Sequence, residues 1–198
     1  MARPREFDED AVLDAAVQRF WSHGYEATSV RDLIAGTGLT AASLYNAFGD
    51  KRALYGRSLS RYVDNSIDDR IRRCSELPPR AGVRAFLAEI VERSLADPDH
   101  KGCMVVNAAL ELAPHDEEFR KTVAGALARI EGFFRRSVAA GQADGTIGRA
   151  LPPEALARHL LGVLMGVRVL ARARPERELL EGVIAPALAL LDARGAGE

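Results

Sequence analysis

The sequence predicts an all-α protein: an N-terminal three-helix helix-turn-helix head followed by a C-terminal helical body, about nine helices in total. Three observations predict it. Apolar residues recur at helical spacing, with no lasting strand-like alternation anywhere in the 198 residues. Hydrophobic residues make up 47% of the chain and aromatics only 6%, so the core must be aliphatic and alanine-rich, as suits packed helices. Finally, the run Thr28–Lys51 sets two short apolar-sided segments on either side of Gly36-Thr37-Gly38. Two short helices joined by a tight glycine-bearing turn lay a second helix into the DNA major groove.

The elements follow in order. Helix 1 opens at an Asp8 cap, with Phe7 and Val12 at staple spacing and Glu9 and Asp10 in the first turn, where the helix dipole favours acids. It runs to about His23, and Gly24 stops it. Helix 2 spans about Ser29–Gly36, with Ser29 and Asp32 at capping-box spacing and Val30, Leu33 and Ile34 on one side. Helix 3 spans about Ala41–Phe48 behind a Thr40 cap, with Leu44, Tyr45 and Phe48 apolar. Helix 4 starts after Gly49-Asp50 and runs to about Cys74, before Pro78-Pro79, a length that suits a connector. Helices 5, 6 and 7 are read at about Ala81–Ala96, Cys103–Leu112 and Asp116–Ala143. Helices 8 and 9, about Pro153–Arg174 and Pro175–Ala193, are long and apolar. The domain division is 1–50 for the head and 51–198 for the body.

Charge gives no global signal for nucleic acid, since the formal net charge is −1. Through Arg57 the N-terminal segment carries seven basic residues, Arg3, Arg5, Arg19, Arg31, Lys51, Arg52 and Arg57, against eight acids. The acids gather in helix 1 and the bases at Met1–Arg5 and Lys51–Arg57, so a local basic patch remains available to phosphates. No signal peptide or transmembrane span is read. The most apolar run, Leu160–Leu170, is short and broken by Arg168. Cys74 and Cys103 stand far apart and imply no disulfide framework. A cytoplasmic protein is expected.

The residues Asp8–Ala16, Phe20, Gly24–Val30, Ile34-Ala35, Gly38-Leu39-Thr40, Ser43-Leu44-Tyr45, Phe48, Lys51 and Leu54-Tyr55 stand in an order and spacing that resemble the TetR family of bacterial transcriptional regulators. The likeness covers roughly the first quarter of the chain. It implies a repressor that binds double-stranded operator DNA. Residues at the start of the recognition helix face base edges, which makes Thr40, Ala41, Ala42 and Ser43 candidates. Thr28, Tyr45, Asn46 and Lys51 resemble family positions that hold phosphates, although Asn46 departs from the family's usual aromatic or His. Arg3 and Arg5, on the N-terminal arm, are further candidates for phosphates or a minor groove. A second reading stays open for Thr28 and Thr40 as plain helix caps and for Tyr45 as core.

One head reads few base pairs, so a palindrome-reading homodimer is expected, with helices 8 and 9 at the interface as the resemblance implies. Gly162 and Gly166, four apart, allow close helix approach. A purely intrachain core is the alternative. In the body, Cys103, Asn107 and Glu111 recur every four residues in an apolar wall, with Phe86, Phe133, Phe134 and Met165 placed to close a small-molecule effector pocket. Bonding of Asn107 and Glu111 to each other or to backbone is the plainer reading. Cys103 follows His100-Lys101-Gly102 at a helix start, a setting that raises thiol reactivity, and resembles family members that sense electrophiles or oxidants; a buried apolar Cys is the commoner fate. His23, His100, His115 and His159 show no metal spacing, and no nucleophile-elbow, phosphate-loop or dinucleotide fingerprint occurs. No enzyme activity, metal or cofactor is expected. The alternative function is a helical protein–protein adaptor without DNA binding.

Overall fold

A computed structural model describes residues 7–193, and Arg3 and Arg5 lie outside the described residues. The head comprises α1 (Glu9–His23), α2 (Val30–Thr37) and α3 (Ala41–Phe48). The body comprises α4 (Lys51–Tyr62), a π-helical segment (Val63–Asp68), α5 (Asp69–Ser75), α6 (Pro79–Leu95), α7 (Met104–Glu111), α8 (Glu117–Ala143), α9 (Pro153–Ala173) and α10 (Arg177–Ala189), with a closing 3₁₀ turn at Leu190–Asp192. No strand occurs among the described residues.

Local chemistry explains the head. Asp8 accepts hydrogen bonds from the amides of Asp10 and Ala11 at 2.9 and 3.2 Å. Ser29 and Asp32 form the full capping box, and the Thr40 hydroxyl accepts from the Ser43 amide at 3.2 Å. Gly38 ends α2 in the left-handed region at φ 71°, a conformation that costs any residue with a Cβ. Phe20, Leu33, Leu44, Phe48, Leu54 and Tyr55 then close one buried cluster across α1 to α4. Burying each such side chain contributes about 1.5–3 kcal/mol.

Expected helix 4 is one continuous rod over 51–75, but it is not α-helical throughout. Val63–Asp68 widens to π geometry, with Tyr62 and Asp69 on either side still in the right-handed helical region. One residue too many in a turn bulges the rod outward, and such turns gather at functional sites. Behind it, α6, α8 and α9 pack around a Phe86–Phe133–Phe134 cluster with ring centroids 5.2–5.4 Å apart. No helix among the described residues is long and apolar enough to cross a membrane.

Candidate nucleic-acid interface and effector site

Helix α3 is short because Thr40 caps it and Gly49, at φ 81°, ends it. Its inward residues Leu44 and Phe48 are buried, while Thr40, Ala41, Ala42, Tyr45 and Asn46 are exposed. Tyr45, at 42% exposure, is one of four large exposed hydrophobic residues among those described. The helix carries no formal charge, and its small side chains leave the backbone open to close approach. Beside it, the Lys51 ammonium sits 4.4 Å from the Tyr25 ring and donates to the Glu26 carbonyl at 3.4 Å.

Two expectations about the head need correction. Thr28 is only 1% exposed, and its hydroxyl donates to the Gly24 carbonyl at 2.6 Å. It therefore shapes the α1–α2 corner and offers no surface to a phosphate. The basic run after Lys51 is also engaged elsewhere. Arg52 forks onto Asp116 at 2.8 and 3.0 Å and reaches Glu118 at 2.7 Å. Arg57 pairs with Glu9, and Arg61 holds Asp10 at 2.7 Å and Asp14 at 2.8 Å. The acids of α1 are thus partly offset by α4, which lessens the repulsion they would exert on DNA. The fork lowers the Asp116 carboxyl to about 2, and the hydrogen bond from Arg61 holds the Asp14 carboxyl below its ordinary value.

The body wall expected from Cys103, Asn107 and Glu111 does not converge either. The three side chains go to three places. Cys103 is buried at the start of α7 beside Tyr62, whose hydroxyl pKa is raised first by burial and then by that thiol. The Lys101 ammonium expected to activate the thiol instead faces Asp97 and Asp99 at 3.5 and 3.6 Å and the Trp21 ring at 5.2 Å. Asn107 bridges the Lys101 carbonyl, at 3.1 Å, and the Arg172 guanidinium, at 2.6 Å. The Glu111 carboxylate accepts from the amides of Tyr25, at 3.0 Å, and Glu26, at 2.7 Å, in the corner between α1 and α2. Gly24, at φ 84°, is the neighbour of this clamp, and a Cβ there would stand 3.0 Å from the carboxylate. Phe86 and Phe133 are core, and Met165 shares its side of α9 with Leu161 and the half-exposed Val169. Gly162 and Gly166 have no neighbour within 4 Å of a would-be Cβ, so α9 is uncovered by its own chain at these two positions, with Leu161 and Met165 partly packed on the core beside them.

A small cavity lies instead beside Gly102. It has a volume of about 40 Å³, lined by Trp21, Tyr62, Ser66, Ser94, the arginines Arg70, Arg93 and Arg168, and Asp97, His100 and Gly102 of the turn before α7. Ser66 belongs to the π-helical segment. Sequence reading missed this site, apart from noting Arg168 as a break in an apolar run. Its available signal was the pair of arginines, Arg70 and Arg168, each set in an otherwise apolar helical face.

Residues 12–57 match the family model described as "Bacterial regulatory proteins, tetR family", and residues 79–185 match "Tetracyclin repressor-like, C-terminal domain". The HTH-type transcriptional repressor ComR of Escherichia coli (strain K12) is 30% identical over 190 residues, covering 95% of this chain and 90% of that protein. The HTH-type transcriptional regulator YezE of Bacillus subtilis (strain 168) is 28% identical over 197 residues, 97% of this chain and 100% of its own. Among solved structures, a cysteine mutant of the TetR family transcriptional regulator CifR, in complex with 26 bp double-strand operator DNA, superposes with a TM-score of 0.83 at 35% identity. That match covers 94% of this chain and 98% of the solved one.

Proposed function

The chain belongs to the TetR family of bacterial regulatory proteins, DNA-binding transcription regulators rather than enzymes, and from that premise we propose how this member represses. Two copies occupy a palindromic operator, and a small molecule acting on the body releases it. The observation that carries the reading is the outward face of α3: uncharged, short-chained and led by an exposed Tyr45 beside Lys51. Ala and Thr methyls pack on thymine methyls, while Thr40 and Ser43 hydroxyls meet base edges. Tyr45, Asn46 and Lys51 hold phosphates and fix register.

The dimer forms through α9 where Gly162 and Gly166 stand open and Val169 is exposed, with the half-buried Leu161 and Met165 at its edge and α10 alongside. It sets the two α3 helices about one helical turn of DNA, roughly 34 Å, apart. The coupling element is α7. It begins at Gly102–Cys103 against the cavity and ends at Glu111 on the head, about 12 Å away along the helix axis. A ligand that displaces the start of α7 moves the Glu111 clamp and tilts the head, which couples two sites through one packed element.

The test is binding of the purified protein to a labelled fragment of its own upstream region, and to a randomised operator pool, across a salt series. Affinity is expected to fall linearly with the logarithm of salt concentration. Tyr45→Ala and Lys51→Gln are each expected to weaken it by about tenfold or more, with unchanged melting temperature. Absence of salt-dependent binding to the pool would overturn the reading and favour an adaptor. Treatment with a thiol-reactive electrophile belongs in the same series. Release abolished by Cys103→Ser makes the signal covalent, and indifference makes it noncovalent.

A further inference from the structure

Three arginines line the small cavity behind α7: Arg93 is paired with Glu89, while the charges of Arg70 and Arg168 are not balanced there. Arg70 is 2% exposed and Arg168 7%. The Nε of Arg70 lies 3.2 Å from a Glu89 carboxylate oxygen but is not aligned with it. Among the described residues it is the one buried side-chain nitrogen or oxygen without a hydrogen-bond partner. Glu89 is also shared: Arg73 donates to both its oxygens at 3.0 and 2.9 Å, and Arg93 lies at 2.8 Å. Arg168 has no ion pair among the described residues. Its polar contact is a 3.5 Å bond to the Ser94 hydroxyl. The nearest acid in the lining, Asp97, is held by Lys101, through its amide at 2.7 Å and its ammonium at 3.5 Å. Burial and the neighbouring Arg168 both lower the Arg70 pKa, the signature of a cation short of counter-charge.

Buried charges are tolerated when they are paired or when they bind something. A structural pair would have given Arg168 a carboxylate. Instead both arginines, two serines (Ser66 and Ser94) and the Tyr62 side chain face one space whose volume suits a group of about three heavy atoms. Planar guanidinium forks match the oxygens of a carboxylate or a small oxyanion. Trp21 and Tyr62 form an aromatic side of the space, and the lining also takes in His100, whose φ of 49° holds the turn in the left-handed region.

We infer that this cavity takes the anionic group of a small molecule, with Arg70 and Arg168 as its counter-charges and Ser94 as a hydrogen-bonding partner. The inference rests on the effector-released repressor proposed above and assigns the chemical class of that effector. The group's arrival would draw Arg168 and the neighbouring Gly102 together, and Gly102 is the residue from which α7 departs. The Gly102 backbone already accepts from the Trp21 indole N–H at 3.2 Å, and a Cβ on Gly102 would lie 3.8 Å from the Arg168 carbonyl.

Trp21 is the chain's only tryptophan and lines the cavity, so its fluorescence reports on this site with no second indole to mask it. The experiment titrates the full-length protein with sodium acetate, benzoate and inorganic phosphate, and with the neutral amides acetamide and benzamide. Ionic strength is held constant with sodium fluoride, and operator binding is followed in parallel. The expected result is a saturable Trp21 response to at least one anion and none to the amides. That response should weaken about tenfold or more in Arg168→Gln, whose melting temperature should hold or rise. Arg168→Lys and Ser94→Ala, expected to weaken it less, keep the test available should Arg168→Gln fail to fold. No saturable response to any anion, equal responses to acid and amide, or an undiminished response in all three variants would each overturn the inference. Saturation without release of the operator would leave the anion site standing and sink its role as effector site. Loss of operator binding in the untreated protein would sink the repressor reading without touching the fluorescence result.

Discussion

Helix α3 and the cavity behind α7 are built on opposite plans. The outward face of α3 has no formal charge and is held by residues within a few positions of it: the Thr40 cap, the Gly49 stop, and Leu44 and Phe48 facing inward. The cavity concentrates charge where water is scarce, and its walls come from α1, α4, the π-helical segment, α5, α6 and α9, with the turn that holds Asp97, His100 and Gly102. The first is a surface ready for a large polyanion, which supplies its own charge. The second is an internal pair of cations suited to a small anion. A repressor needs both, because its operator must bind by default and its effector must compete through energy stored elsewhere. The α3 face is therefore expected to tolerate little change in its supporting core, while the cavity should tolerate loss of a cation with no loss of stability.

The sharpest way to break that contrast is Leu33→Ala. Leu33 is fully buried in α2, against the helix that aims α3. Removing it should cost about 2–5 kcal/mol and lower the melting temperature by roughly 4 °C or more, with operator binding lost in step at physiological temperature. Calorimetry and the salt-series assay check both. A Leu33→Ala protein as stable as the parent would mean that the head is not the tightly packed unit described. Arg168→Gln, by contrast, should change the response to anions and leave operator affinity in place.

The head was legible in the sequence because its rules are local. Capping residues act over three positions, Gly38 announces its own left-handed turn, and Leu44 and Phe48 mark a side by their spacing. The bounds of helices 1, 2 and 3 came out within a residue or two for that reason. The body's rods were equally legible, from proline stops and apolar periodicity. What spacing could not give was where a long polar side chain ends. Cys103, Asn107 and Glu111 do share a helical side, yet Glu111 reaches the Tyr25 and Glu26 amides, 86 and 85 positions away in sequence, and Asn107 reaches Arg172 across 65. Arg52 and Arg57 read as a DNA-facing basic patch until their partners Asp116, Glu118 and Glu9 were in view. The π-helical turn left no mark in composition at all.

Glu111→Gln probes the joint between the two regions. The carboxylate accepts two head amides, and bonds to a charged acceptor contribute about 1.5–3 kcal/mol each at most. Glutamine keeps one acceptor oxygen and turns a donor group toward the other amide. The expected outcome is a small drop in melting temperature, near 1 kcal/mol in stability, together with a weakened ligand-induced loss of operator binding. Basal operator affinity should change little, since the α3 surface is untouched. Full ligand release in Glu111→Gln would remove α7 from the coupling route and place it in the α4 rod.

The smallest expected effect comes from the joint between α4 and α8, Arg52 on Asp116, and its sign is set by proton linkage. Asp116 caps α8 and accepts from the amides of Glu118 and Phe119, at 2.9 and 3.3 Å, while the Arg52 fork lowers its carboxyl to about 2 from an ordinary 3.8. A carboxyl depressed in the folded state stabilises that state fully above its unfolded value, and the contribution disappears as pH falls from about 4 to about 2. Solvent screening keeps such an exposed pair weak, so neutral-pH stability should scarcely register its removal, and the titration itself is the sensitive readout. Carboxyl-carbon NMR should place the Asp116 midpoint near 2 in the parent and nearer 3.8 in Arg52→Gln, the Glu118 and Phe119 amides still holding it somewhat below. An unshifted midpoint in the parent would mean that Arg52 does not rest on α8, leaving it available to phosphates as its sequence position first implied. α4 would then meet the start of α8 through the Tyr55–Phe119 ring contact without that ion pair.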